Sequence, residues 1–223
     1  MASSARESAP LLSLLVGYLI FSFPLTFCSY VEIIPEDEYY PQQWYARSDG
    51  LDYEADMDIM GAWEQGSSGS YIYVSVISRA GLQYFHDELS ENSANALDAC
   101  YDFVHNSPDA TTKAPGRSHG TAIAGIISAQ RNEHCIIGVA YNSTLSAVRI
   151  SGAIGHDAEI GKALSFSRSI TDVYCNAWLF AGEQQQFVPV GPITIANITT
   201  GIKEGRRGTG SIYIFPANPS YTY

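Results

Sequence analysis

The residues with the most chemistry in them stand close together: Ser118-His119-Gly120-Thr121, followed by Ala124-Gly125. A histidine that opens a helix, with small residues behind it, places an imidazole at a helix N-terminus and lets that helix pack closely on a neighbour. Such an imidazole can carry protons or can be a structural histidine, and the triplet alone does not choose. A second concentration is acidic. Between Val31 and Glu64 ten carboxylates, Asp37 among them, face Arg47 alone. A solvated acidic face, a cation site and a surface for a basic partner all fit that pattern. Cys100, Cys135 and Cys175 are an odd number of thiols, which in an oxidising compartment leaves one unpaired within the chain. His86, His105, His134 and His156 read as surface or loop histidines, and Asp102 and Asp109 as loop carboxylates.

These residues need a scaffold, and the hydrophobic pattern supplies one. Tyr71 to Ile77, Leu145 to Ile150, Thr171 to Ala177 and Ser211 to Phe215 are short β-rich runs. Between them, Thr121 to Ala129, Asp157 to Arg168 and Ile193 to Lys203 carry helical spacing, while Asn92 to Arg117 is polar and reads as loop. Strands alternating with helices predict an α/β fold, a parallel sheet flanked by helices. The chain reaches Tyr223 just past a strand, so the expected sheet is incomplete at its C-terminal side. Residues 29–70 are predicted to form an acidic N-terminal arm ahead of the domain at 71–223.

Charge and targeting limit the function further. The formal charge is −11, which argues against nucleic acid, since phosphate contacts need clustered Lys and Arg. Arg6 precedes an apolar run from Leu11 to Phe27, and Thr26 and Cys28 put small residues before Ser29. That predicts a signal peptide over 1–28 and a place in the secretory pathway or outside the cell, with no stable membrane span after its removal; a signal anchor is the alternative, weakened by Ser13, Gly17, Ser22 and Pro24 within the run. Asn142-Ser143-Thr144 and Asn197-Ile198-Thr199 are glycosylation sequons that suit such a route.

Several ordered segments carry a family resemblance: Pro41-Gln-Gln-Trp-Tyr45, Gly61-Ala-Trp-Glu-Gln-Gly66, Tyr101-Asp-Phe103, the His119 segment, Gly138-Val-Ala-Tyr-Asn142 with Val148-Arg149, and Gly208-Thr-Gly-Ser-Ile212. Together they resemble the kexin and furin group of subtilisin-like proprotein convertases, over about Asp37 to Asn218. The resemblance implies a calcium-dependent serine endopeptidase that cuts after basic residues through a Ser-His-Asp triad. His119 matches the triad histidine. The triad aspartate should close the first strand, and there Ile77-Ser-Arg-Ala-Gly-Leu82 places Arg79. The nucleophile's Gly-Thr-Ser segment does not occur in these 223 residues. Asn218 falls near the oxyanion-stabilising asparagine, without the glycines expected around it. Where the family binds a basic side chain beside Ser-Trp-Gly, this chain has Ala177-Trp178-Leu179 and then Glu183, so specificity for basic residues is in doubt. The family's structural calcium would fall to Asp37, Glu88 and Asn132, and its half-cystine to Cys135, with a partner beyond Tyr223. The family's pro-region has no counterpart between the expected signal and Tyr30. The expectation is a catalytically inactive homologue that binds a peptide or protein. The alternatives are an active serine endopeptidase known from a partial or faulty chain, or a fragment without a stable fold.

Overall fold

The computed structural model describes residues 34–46, 56–112, 119–151, 156–178 and 189–217, all within one compact unit spanning 34–223. Its frame is a five-stranded sheet in the order β2-β3-β1-β4-β5, built from β1 (Tyr73–Ser78), β2 (Tyr101–Asp102), β3 (Thr144–Arg149), β4 (Val173–Ala177) and β5 (Ile212–Ile214). Every pairing is parallel, and β1 sits in the middle with Val76 opposite both Ala147 and Cys175. The parallel α/β architecture expected from the alternation is therefore the one observed.

Parallel strands buried on both faces are mostly apolar, because successive side chains enter opposite cores, and here Ser75, Ser146 and Asn176 are small or polar residues buried among them. On one face Val76, Leu145 and Ala147 pack with Leu82, Leu89 and Ala124, the last from α3 (His119–Ser128). On the other, Ile77, Val148 and Tyr174 pack with Ile160 and Leu164 around α4 (Asp157–Ala163), and Ile198 of α5 (Pro192–Gly208) joins them. Tyr213 of β5 stacks on Tyr174 at 5.0 Å between ring centres and donates its hydroxyl to the Leu164 carbonyl. On the opposite face of β5, Ile212 and Ile214 are exposed.

Three segments differ from the sequence reading. Residues 34–46 and 56–66 were expected as an extended arm, yet they hold a 3-10 turn (Tyr40–Gln42) and α1 (Ile59–Glu64) and join a third apolar cluster with Ile137. Aromatic side chains achieve this without helical periodicity: Trp63 meets Tyr141 edge-on at 5.4 Å and donates its indole N–H to the Val139 carbonyl. The polar stretch after Asn92 is not all loop, since α2 (Ser90–Ala94) runs into it and β2 adds a short edge strand. Finally α4 stops at Ala163, well short of Arg168. Ser165 Oγ bonds back to the Gly161 and Lys162 carbonyls, Ser167 adopts φ +50°, and Phe166 turns to meet Tyr101 and Phe103.

Candidate active site

The site forms where the carboxyl end of β1 meets the N-terminus of α3. Two glycines permit the approach. A Cβ on Gly120 would strike the Gly81 carbonyl and come within 3.0 Å of Ser78 Oγ, so the helix end rests directly on the strand end. Gly81 itself turns at φ +73°, and a Cβ there would meet the Ala110 carbonyl. This contact delivers His119 and Arg79 to the same end of the sheet, as the motif order requires. Their side chains do not act together. His119 is exposed, and no described residue hydrogen-bonds its ring. Arg79, also exposed, follows the last residue of β1, and its Nε donates to the Ser151 carbonyl at 3.1 Å, toward the end of β3.

An anion beside the imidazole would hold the proton it takes up; a guanidinium disfavours that charge. Nor is there a hydroxyl aligned to serve as nucleophile among the described neighbours. Ser78 Oγ accepts from the Ala80 N–H at 3.2 Å, and Thr121 Oγ1 accepts from the Gln83 N–H at 3.0 Å. Thiol chemistry is no substitute. Cys100, Cys135 and Cys175 are free, burial pushes Cys100 up to about 11, and burial also raises the other two. Thiols held up in this way are poor nucleophiles at neutral pH.

Asp37, Glu88 and Asn132 do come together. Asp37 and Glu88 are buried, and each has one carboxylate oxygen, Oδ2 and Oε2, without a hydrogen-bond partner. The Asn132 N–H donates to Asp37 Oδ1 at 3.1 Å, and the Gln130 N–H donates to the Glu88 carbonyl at 3.0 Å. Burial pushes both carboxyls up. The Asn132 side chain pulls Glu88 back, and the Asp37 charge adds to its rise. Two desolvated like charges with orphaned oxygens fit a hard cation in chemistry. The described residues hold no cluster of three or more His, Cys, Asp or Glu side chains, so the remaining ligands would have to be amide and carbonyl oxygens, which calcium accepts.

The sequence reading missed a cluster at the carboxyl ends of β2 and β3. Asp102, expected as a loop carboxylate, is buried. Its Oδ2 lies 3.1 Å from Arg149 Nη1 and 2.7 Å from His105 Nδ1, and its Oδ1 accepts from the Val104 and His105 N–H groups. Burial pushes Asp102 up, but the His105 contacts, the Val104 amide and the Arg149 charge outweigh it and hold the carboxyl below its ordinary range. Only the cross-strand register, Asp102 opposite Arg149, brings the pair together.

Other predicted positions are scattered. Asn218, the expected signal over 1–28, Leu179 and Glu183 lie outside the described residues. Asn142 is exposed and donates to Ser68 Oγ, whereas Asn197 lies within α5 and donates to the Ile193 carbonyl. No helix among the described residues is long and apolar enough to cross a membrane.

Comparison with known proteins agrees with this arrangement. Residues 69–217 match the model of the Subtilase family, peptidase S8. The chain is 31% identical over 192 residues to Furin-like protease 2 of Drosophila melanogaster, covering 84% of this chain and 11% of the relative. It is 30% identical over 180 residues to Protease KEX1 of Kluyveromyces lactis, covering 80% and 23%. With human Neuroendocrine convertase 2 it shares 29% over 202 residues, covering 86% and 31%. The chain thus spans less than a third of the length of each of these relatives. Among solved structures, the Aeromonas sobria serine protease in complex with its ORF2 chaperone superposes with a TM-score of 0.62. The identity there is 20%, covering 80% of this chain and 31% of that one, a likeness of fold.

Proposed function

We propose that this chain, which belongs to the subtilase family and within it to the kexin and furin convertase group, binds a peptide or protein ligand without cleaving it. One observation carries the reading: Arg79 stands at the end of β1, where the family's triad needs a carboxylate, and its side chain turns to Ser151 rather than to His119. In the triad mechanism the aspartate fixes the histidine tautomer and stabilises the imidazolium. Loss of the aspartate alone lowers kcat in subtilisin by about 3 × 10⁴. An arginine turned to Ser151 supplies neither service.

Calcium belongs to the same proposal. Asp37, Glu88 and Asn132 would hold the ion, which would supply charge compensation to two buried carboxylates and so stiffen the 34–46 segment against the loop at 130–137. Residence in the secretory pathway, with glycans on Asn142 and Asn197, is proposed from the N-terminal signal pattern and the sequons. A second reading, a serine endopeptidase of convertase type, is favoured by the retained His119 and the Gly120 contact that seats it.

The test is hydrolysis. The purified full chain, with millimolar Ca²⁺, is assayed on fluorogenic Arg-X-X-Arg peptides beside its His119→Ala variant. No turnover above that variant is expected. Turnover that vanishes with His119→Ala selects the endopeptidase.

A further inference from the structure

We infer that the cleft at the carboxyl ends of β1 and β3 receives a carboxylate on an apolar stem, supplied by an acidic or C-terminal residue of a peptide, with Arg79 as its principal partner. This deepens the non-cleaving reading above by naming the chemistry of the ligand. The cleft has a volume of about 440 Å³ and is lined by Arg79, Ala80, Val104, Arg149, Ile150 and Ser151. That volume lies in the range of ligand sites, and the carboxyl edge of a parallel sheet is where such sites form. Ala80 and Val104 give apolar walls, Arg79 and Arg149 guanidinium ones, and Ser151 a polar edge, while Ile150 is wholly buried behind them, a lining that suits neither a bare inorganic anion nor an uncharged hydrocarbon.

Formal charge at the rim balances, with Arg79 and Arg149 facing Asp102 and Glu159. Hydrogen-bonding capacity does not. Asp102 has both oxygens engaged by Arg149, His105 and two backbone amides. Glu159 receives the Ser151 N–H at 2.6 Å and the Ser151 hydroxyl at 2.8 and 2.9 Å, with His156 Nδ1 at 3.9 Å. Asp102 is therefore saturated, while Glu159 is held by the amide and the single hydroxyl proton of Ser151. Arg79 uses one N–H of the five a guanidinium offers, and no described residue accepts from its two terminal nitrogens. It is also positioned in advance. Its Nε is tied to Ser151, and its own carbonyl receives Arg149 Nε at 3.4 Å. A planar fork at the lip of such a cleft matches a carboxylate bidentately, and the Nε bond to Ser151 orients it toward the cleft before binding.

The experiment follows arginine Nε–Hε NMR signals of the labelled full chain. The probes are N-acetylleucine, N-acetylleucinamide, inorganic phosphate, and an Asp-containing hexapeptide blocked at both ends. The free acid, the hexapeptide or both should shift the Arg79 signal saturably, the one that binds naming the source of the carboxylate. Followed through the Arg149 signal, which lines the same cleft, Arg79→Gln should weaken that binding by about ten- to a hundredfold, the loss of a charge-assisted hydrogen bond. Arg79→Lys, which keeps charge without the fork, should recover only part. Thermal melting of both variants should match the parent, since Arg79 is exposed. The inference falls if no saturable shift occurs, if Arg79→Gln binds equally, or if the amide or phosphate binds as well as the acid; binding of N-acetylleucine without the hexapeptide assigns the carboxylate to a C-terminal residue. Peptide hydrolysis by the chain would refute the non-cleaving reading and leave these shifts in place; absent shifts in a chain that does not cleave would remove this inference alone.

Discussion

Replacing Glu88 by Gln separates a cation site from inherited geometry. Asp37 and Glu88 are 2% and 7% exposed, and each keeps an oxygen without a partner. Both carboxyls are raised in the folded chain, chiefly by burial. The sign follows. A raised folded value means these groups favour folding when protonated, and that contribution is lost as pH rises through the folded values. Without a cation at neutral pH, Glu88→Gln should therefore be at least as stable as the parent. With a cation the order inverts. At free Ca²⁺ a hundredfold above Kd, linkage gives about 2.7 kcal/mol. At about 2–4 °C per kcal/mol for a domain of this size, Tm should rise by about 5–11 °C. Acidification through the raised carboxyl values should erase the rise, because protons compete with the ion. Differential scanning calorimetry in EDTA and across a Ca²⁺ series reads all of this. An unchanged Tm up to about ten times the ~10⁻³ M Kd of the weakest extracellular sites, or an equal response in parent and Glu88→Gln, would refute it.

Two further outcomes follow from the packing. Gly120→Ala forces a Cβ into the Gly81 carbonyl and should cost about 1–3 kcal/mol, read as a lower urea midpoint; an unchanged midpoint would mean that α3 does not rest on β1. Asp102→Asn leaves Arg149 without its carboxylate and should cost about 1–3 kcal/mol at neutral pH. Because Asp102 is held below its ordinary range, its contribution is present at neutral pH and is lost as pH falls through that lowered value. The variant's Tm should converge on the parent's there, and parallel curves would contradict the pairing.

What could be read from the sequence was whatever lay in local pattern. The runs at Tyr71, Leu145 and Thr171 are rich in β-branched and aromatic residues, broken only singly or in pairs by polar ones, so central parallel strands were legible, and the small residues around His119 marked a helix packed closely at its start. Contacts between distant residues were not. Asp102 meets Arg149 only because β2 and β3 run in register, and a two-residue strand leaves no periodic trace. Residues 34–46 and 56–66 hid their order because aromatic contacts of Trp63 with Tyr40 and Tyr141, not an amphipathic stripe, help hold them. Likewise α5, whose helical backbone breaks at Gly205 close to the expected end at Lys203, is capped from another helix: Asp157 accepts the Ile193 and Thr194 N–H groups, both at 2.9 Å. The Asp37 and Glu88 pairing was reachable only through family resemblance, since nothing in the spacing of the two residues links them.

Labelling of the full chain with a fluorophosphonate, quantified by intact mass, addresses catalysis most directly. A serine made nucleophilic by His119 would be trapped at one adduct per chain. With Arg79 in place of the carboxylate, no adduct above that of His119→Ala is expected. A stoichiometric adduct that His119→Ala abolishes would contradict the account.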